Sequence, residues 1–207
     1  MTKPRDPAAT KERILLAAIR EFSARGFAGA RVESIARRAR VNKRMLYHYF
    51  GNKEGLFRAI LRRKIAQKAA FQQAAPANPS DHLPFWFQMA RQDVEWVRLL
   101  QWEALDFGEK QVIGELERRR SLADRVAELR ERQKKGRLPA DLDPACLFLA
   151  LAALTTFPVA FPQLSRLITG RSSASPEFEK RQMRFLRRLG AHLEGRARGA
   201  RKSGDSK

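Results

Sequence analysis

Two short apolar stripes separated by a three-residue turn constrain this chain more than any other feature of it. Val32, Ile35, Ala36 and Ala39 recur at helical spacing, and after the turn Arg40 to Asn42 a second stripe places Leu46, Tyr49 and Phe50 on one side. Asn42 is the natural cap of that second helix. At about 100° per residue, Arg44 and His48 fall together opposite Leu46 and Phe50, flanked by Met45 and Tyr47. A core helix has little use for Lys43, Arg44 and His48 beside Tyr47, so this side is expected to face water or a ligand. Two short helices joined by a tight turn, the second carrying cations, an imidazole and a phenol, match a helix-turn-helix whose second helix enters the major groove.

The charge balance agrees. Lys and Arg number 42 against 22 Asp and Glu in 207 residues, a formal charge of +20 with a sequence pI near 11.3. Such a chain seeks polyanions: nucleic acid first, then an anionic membrane surface, then an acidic protein. A hydrophobic content of 43% suffices for a core. The lone Cys146 lies in an apolar run, where a thiol behaves as a small hydrophobe, and it offers no disulfide framework. The N-terminus reads as charged and without an apolar signal region, so a reducing, cytoplasmic setting is expected. Pro144 to Ser165 carries no charge and tempts a membrane-spanning reading. Pro158, Pro162 and the Thr155-Thr156 pair interrupt it, so a buried helix is expected there and no membrane partner.

Other helices follow from spacing and caps. Residues 10 to 25 read as an amphipathic helix capped by Thr10, with Ile14, Leu15, Ala18 and Phe22 on its stripe and a left-handed stop at Gly26. A fourth helix from Lys53 carries Leu56, Phe57, Ile60, Leu61 and Ile65; a loop spans Ala75 to Ser80. Apolar helices follow around Phe85 to Arg91 and Val94 to Leu105. A charged helix from about Ile113 to Lys135 has i,i+4 pairs Glu115 with Arg119, Glu128 with Arg132, and Glu131 with Lys135. Asp143 with Pro144, and Ser175 with Pro176, open two late helices whose broad apolar surface calls for more than one partner each. The second of these keeps Phe178, Gln182, Phe185, Leu186, Leu189 and Leu193 on one face. The Gly-, Ser- and Arg-rich end from Gly195 to Lys207 reads as disordered.

Phe27 to Phe57, "FAGARVESIARRARVNKRMLYHYFGNKEGLF", preceded by "TKERILLAAIREFSARGF", resembles the N-terminal DNA-binding domain of the tetracycline-repressor (TetR) family of bacterial regulators. The resemblance covers about the first quarter of the chain and rests on an ordered series of motifs. It implies an all-α fold, with a helix-turn-helix domain over residues 1–55 and a helical effector-binding and dimerisation domain over 56–195; composition sets a basic tail apart over 196–207. Ala30 stands where the family usually caps the second helix with Thr or Ser, at an expected cost of about 1 kcal/mol. Arg40 stands where the family usually has Gly, a position that wants φ > 0. Met45 replaces a common small hydroxyl residue.

For DNA, Arg44 suits a base edge because it can grip guanine bidentately, while Lys43, Tyr47, His48 and Lys53 suit phosphates, Lys53 together with the helix terminus it opens. Arg31, Arg37, Arg38 and Arg40 give the second helix a positive edge, and Val32, Asn42 and Met45 complete the candidate contact set. By the resemblance, the central helices enclose a small-molecule pocket with Phe85, Trp86, Met89, Trp96, Leu99, Trp102, Glu103 and Phe148 as lining candidates; ordinary core packing is the plainer reading of each. The two late helices would form a homodimer interface through Leu147, Leu151, Leu154, Phe178, Phe185 and Leu189.

Catalysis finds little support. His48, His82 and His192 lie far apart, and no metal-ligand spacing, phosphate-binding loop or dinucleotide fingerprint is present, so no enzyme activity, cofactor or metal is expected. The expected partners are a double-stranded DNA operator, a second copy of the chain and an unidentified small effector. The alternative from another class is a sequence-independent binder of nucleic acid or anionic surfaces.

Overall fold

The computed structural model describes residues 6–76 and 78–204, which form ten helices. Chain contacts gather them into two compact units, Met1–Ala70 with Glu95–Glu115, and Phe71–Val94 with Leu116–Lys207.

The first unit contains α1 (Pro7–Gly29), α2 (Val32–Ala39), α3 (Lys43–Phe50), α4 (Lys53–Gln73) to its Ala70, and most of α6 (Val94–Phe107). α1 starts before the expected Thr10, because Asp6 accepts a hydrogen bond from the Ala8 N–H at 2.9 Å and Pro7 fits the first helical position. Thr10 is buried instead, accepting from Arg13. Ile14, Phe22, Ile35, Leu46, Leu56, Phe57, Ile60, Leu61 and Leu99 are fully buried together. Each contributes about 1.5–3 kcal/mol relative to exposure. The boundary expected near residue 55 therefore falls inside α4, whose first turns complete this core. Glu12 and Arg63 tie α1 to α4 through a two-pronged ion pair.

Gly26 has the positive φ expected of it, 70°, but its ψ of −178° is extended, so it kinks α1 instead of ending it. A Cβ there would stand 2.6 Å from the Trp102 ring. Trp102 donates its indole N–H to the Ser23 carbonyl at 3.3 Å, and the Phe27 N–H donates to Asp106 at 2.8 Å. Beside the kink, Phe22, Phe27, Phe57 and Phe107 meet at ring separations of 5.0–6.2 Å.

The second unit contains α5 (Pro79–Gln92), α7 (Glu115–Lys134), α8 (Pro144–Ala160), α9 (Pro162–Thr169) and α10 (Pro176–Gly204). α5 packs on α8 and α10. Leu83, Phe87, Phe178 and Leu186 form the centre, with Leu151, Leu154, Met183 and Leu189 against it. Arg91 fastens α5 to the start of α10 through Glu179 at 3.1 Å and the Ser173 carbonyl. Asp143 and Ser175 accept the caps expected of them. On α7 the Glu128–Arg132 pair forms at 2.9 Å, whereas Glu131 pairs with Lys134 at 2.7 Å instead of the expected Lys135.

Three expectations need correction. α8 is not a buried helix in the single chain: Leu147, Thr155 and Pro158 are buried, but Leu149 is 70% exposed and Cys146 faces solvent. Its apolar residues encircle it, so one neighbouring layer cannot cover them all. Pro158 sits inside α8; the break comes at Phe161, where the chain turns 94° into α9, and no single helix among the described residues is long and apolar enough to cross a membrane. Finally, the expected disordered end is helical in its backbone to Gly204, in keeping with the helix-forming Arg, Ala and Lys residues there, while 205–207 lie outside the described residues.

His82, near the start of α5, uses both ring nitrogens: Nδ1 meets the Pro76 carbonyl at 3.1 Å and Nε2 accepts the Trp86 indole N–H at 3.0 Å. The neutral ring with its proton on Nδ1 satisfies both bonds. Burial holds its pKa below the ordinary 6.5; Arg132 and Arg125 of α7 push the same way, while the Pro76 bond and Glu128 oppose them.

Two outcomes follow. Gly26→Ala should lower the free energy of urea unfolding by about 2–4 kcal/mol, since it adds both backbone strain and a clash with Trp102. His82 with a lowered native pKa binds fewer protons folded than unfolded, so its stabilisation is complete above about pH 6.5 and is lost as pH falls from there toward the native value. Melting temperatures taken between about pH 7.5 and 5.5 should fall more steeply for the wild type than for His82→Gln; parallel profiles would remove His82 from the acid response.

Candidate nucleic-acid interface

The candidate DNA-reading surface, hereafter the reader, is assembled from both ends of α2 and the start of α3. Ala30 closes α1, so the capping position of α2 belongs to Arg31, which has no capping side-chain bond of its own. The Arg31 N–H is instead taken by Glu21 of α1, 4% exposed, at 3.3 Å, while Glu21 also pairs with Arg25 at 3.4 Å. Sequence reasoning missed Glu21. Its one local signal is a carboxylate beside Phe22, on a side that packing buries. Val32 is in the core at 6% exposure, so its side chain does not reach the interface. At the other end Arg40 adopts φ 55°, ψ 46°, the left-handed conformation expected at that position, and its N–H closes α2 on the Ala36 and Arg37 carbonyls. Asn42 caps α3 by accepting from the Met45 N–H at 2.7 Å, which commits its side-chain oxygen.

On α3, Leu46 is fully buried, and Lys43, Arg44, Tyr47 and His48 are exposed. Met45 is half-buried. Periodicity had separated these two sides, and the structure brings the four polar residues to one face. Arg44 has no carboxylate partner among the described residues. His48 meets the Tyr49 ring edge to face at 5.5 Å. Lys43 bonds Glu33 of α2 at 2.5 Å and lies 5.7 Å from the Tyr47 ring. That hydrogen bond, with the attraction between the charges, raises the Lys43 pKa and lowers that of Glu33.

Lys53 stands at the start of α4, but its ammonium donates to the Ala28 carbonyl at 3.2 Å and sits 5.0 Å over the Phe27 ring. Asn52 caps α4 through the Gly55 N–H at 2.7 Å. Gly55 is fixed by close approach: a Cβ there would lie 2.1 Å from the Phe50 carbonyl oxygen.

The pocket candidates divide between the units. Trp96, Leu99, Trp102 and Glu103 belong to the first, where Leu99 is fully buried in the core and Glu103 accepts the Ile113 N–H at 3.0 Å. Phe85, Trp86, Met89 and Phe148 belong to the second and are half-buried. There Phe85 packs edge to face on Trp86 at 5.3 Å, and the Arg125 guanidinium lies 4.6 Å over Trp86. Of the six interface candidates, Leu147 and Phe178 are buried within the chain, Leu151, Leu154 and Leu189 pack on that cluster, and Phe185 is 49% exposed.

This fold and this face define a helix-turn-helix regulator that acts by binding DNA. Residues 14–60 match the family described as bacterial regulatory proteins, tetR family, and residues 85–188 match the tetracyclin repressor-like C-terminal domain. The chain is 35% identical over 177 residues to the HTH-type transcriptional repressor SCO4008 of Streptomyces coelicolor, covering 84% of this chain and 90% of that one. It is 29% identical to the HTH-type transcriptional regulator RutR of Escherichia coli over 90% of this chain and 91% of RutR. Among solved structures, SCO4942 of Streptomyces coelicolor superposes with a TM-score of 0.75 over 89% of this chain and 97% of its own, at 24% identity. The chain belongs to the TetR family of bacterial transcription regulators.

Proposed function

We propose that this regulator binds a near-palindromic operator as a homodimer, represses transcription there, and is released by a small apolar or amphipathic effector. The carrying observation is the face of α3: Arg44, Tyr47 and His48 stand exposed on a helix whose opposite side is fixed by buried Leu46. In this reading Arg44 reads a base edge, and Lys43, Tyr47, His48 and Lys53 bind phosphates. Lys43 must exchange Glu33, and Lys53 the Ala28 carbonyl, for phosphate oxygens. The repressor sign is supported by the similarity to SCO4008, which is named a repressor.

Dimerisation is supported by an apolar surface in the second unit that one chain leaves uncovered. Leu149 and Leu167 are each 70% exposed, Ile168 76% and Phe185 49%, joined by Phe157, Phe161 and Leu164. Large apolar side chains left exposed on α8, α9 and α10 are the kind of surface that a partner covers. A second copy related by a two-fold axis would present two α3 helices to two half-sites. An effector held in the second unit by side chains that include Phe85, Trp86 and Met89 would release DNA by its difference in affinity for the bound and released forms.

Selection from a random duplex pool, with unrelated DNA in excess, tests the reading. It should yield fragments sharing one inverted repeat; equal loss of every sequence would favour a sequence-independent binder instead. Arg44→Ala should relax preference at particular base pairs, costing about 1–3 kcal/mol of discrimination. Ile168→Glu combined with Leu167→Glu should sediment as a monomer that keeps its helical circular dichroism and loses tight operator binding. A dimer that persists in this variant would move the interface elsewhere.

A further inference from the structure

A cavity of about 250 Å³ opens at the α2–α3 turn, lined by Thr10, Arg13, Arg40, Val41, Asn42 and Met45. It is smaller than the roughly 300–1,000 Å³ usual for organic ligands. Its charged lining is two guanidiniums, and neither Arg13 nor Arg40 has a carboxylate partner among the described residues.

Arg13 is held in place: Nε donates to the Ala39 carbonyl at 3.3 Å and Nη2 to the Thr10 hydroxyl at 3.4 Å. Both bonds draw on the same guanidinium, and its remaining N–H donors stay available to an anion. Arg40 is the one non-glycine residue with positive φ among the described residues. A left-handed backbone is unfavourable for any side chain with a Cβ, and glycine would adopt it without penalty. Strain of this kind persists where a side chain is needed at that point. Two uncompensated cations therefore share a small cavity that also borders the N-terminus of α3, the positive end of its dipole.

We propose that this cavity receives one phosphate of the operator backbone, with Arg40 contacting it and Arg13 positioning the turn and sharing the charge. The proposal rests on the DNA-binding reading above and adds a contact outside the α3 face.

The test uses the full-length protein and an operator obtained by selection, with affinities measured across a salt series. Arg40→Ala and Arg40→Gly should each bind about tenfold more weakly to all operator variants alike, and the dependence of log affinity on log salt should become shallower by about one. Arg40→Lys should keep the wild-type slope. Arg40→Gly alone should melt about 2–4 °C higher than the wild type, because only glycine relieves the strain. A more stable Arg40→Gly protein with wild-type affinity and slope would overturn the phosphate contact while leaving the Arg44 reading intact. Failure of the wild type to select any operator would instead sink the underlying reading. Inorganic phosphate, compared with chloride at equal ionic strength, separates a free-anion site: raised melting in the wild type, with unchanged operator affinity in Arg40→Ala, would also overturn the DNA contact.

Discussion

Eight residues cannot hold a helix in water by themselves. α2 and α3 are each that long, against the roughly 12–15 residues at which isolated helices become even marginal. The reader therefore exists only because its apolar side is bought by burial: Val32, Ile35, Ala39 and Leu46 enter a core supplied by α1, α4 and α6. The remaining order comes from closing the helix ends with groups from outside them. Glu21 takes the Arg31 N–H, Asn42 takes that of Met45, and Arg13 reaches the Ala39 carbonyl. The Lys43–Glu33 pair links the two helices at the surface, but water screens it, and burial decides the stability.

What could be seen in the sequence was local chemistry. Asn42, Asp143 and Ser175 cap as read, because each bonds a backbone N–H within three residues of itself. The exposed side of α3 was legible for the same reason, since Leu46, with Tyr49 and Phe50 packed against the same core, fixes which way a two-turn helix faces. Choices that depend on distant residues were not legible. Nothing near Glu21 says that Arg31 needs its carboxylate, and nothing near Lys53 names the Ala28 carbonyl. Leu99 and Trp102 look like pocket residues until the fold sets them against α1, and Glu103 until it is seen to hold the Ile113 N–H. Glu131 had two lysines in reach, and spacing could not rank them. The exposure of α8 is unreadable from a run that is apolar on every side.

The excess of 20 positive charges acts over a longer range than any of these contacts. Carboxylates close to the reader are engaged: Glu33 by Lys43, Glu54 by Arg58 and Glu21 by Arg25. Those pairs cancel charge for charge, and Arg37, Arg38, Arg40 and Arg44 remain as an excess of cations beside them, which favours fast encounter with a polyanion and makes that encounter sensitive to salt. Such attraction carries no sequence information. In the proposed function, discrimination falls to the few side chains whose direction the buried side of α3 dictates.

The seat of Trp102 over the α1 kink also has an optical meaning. Its indole lies against Gly26 with its N–H on Ser23, whereas that of Trp86 is bonded to an imidazole and covered by the Arg125 guanidinium. An excited indole responds strongly to such neighbours. The first unit thus carries Trp96 and Trp102 and the second Trp86, so replacing the indoles of one unit by Phe leaves emission that follows the loosening of the other without an attached dye.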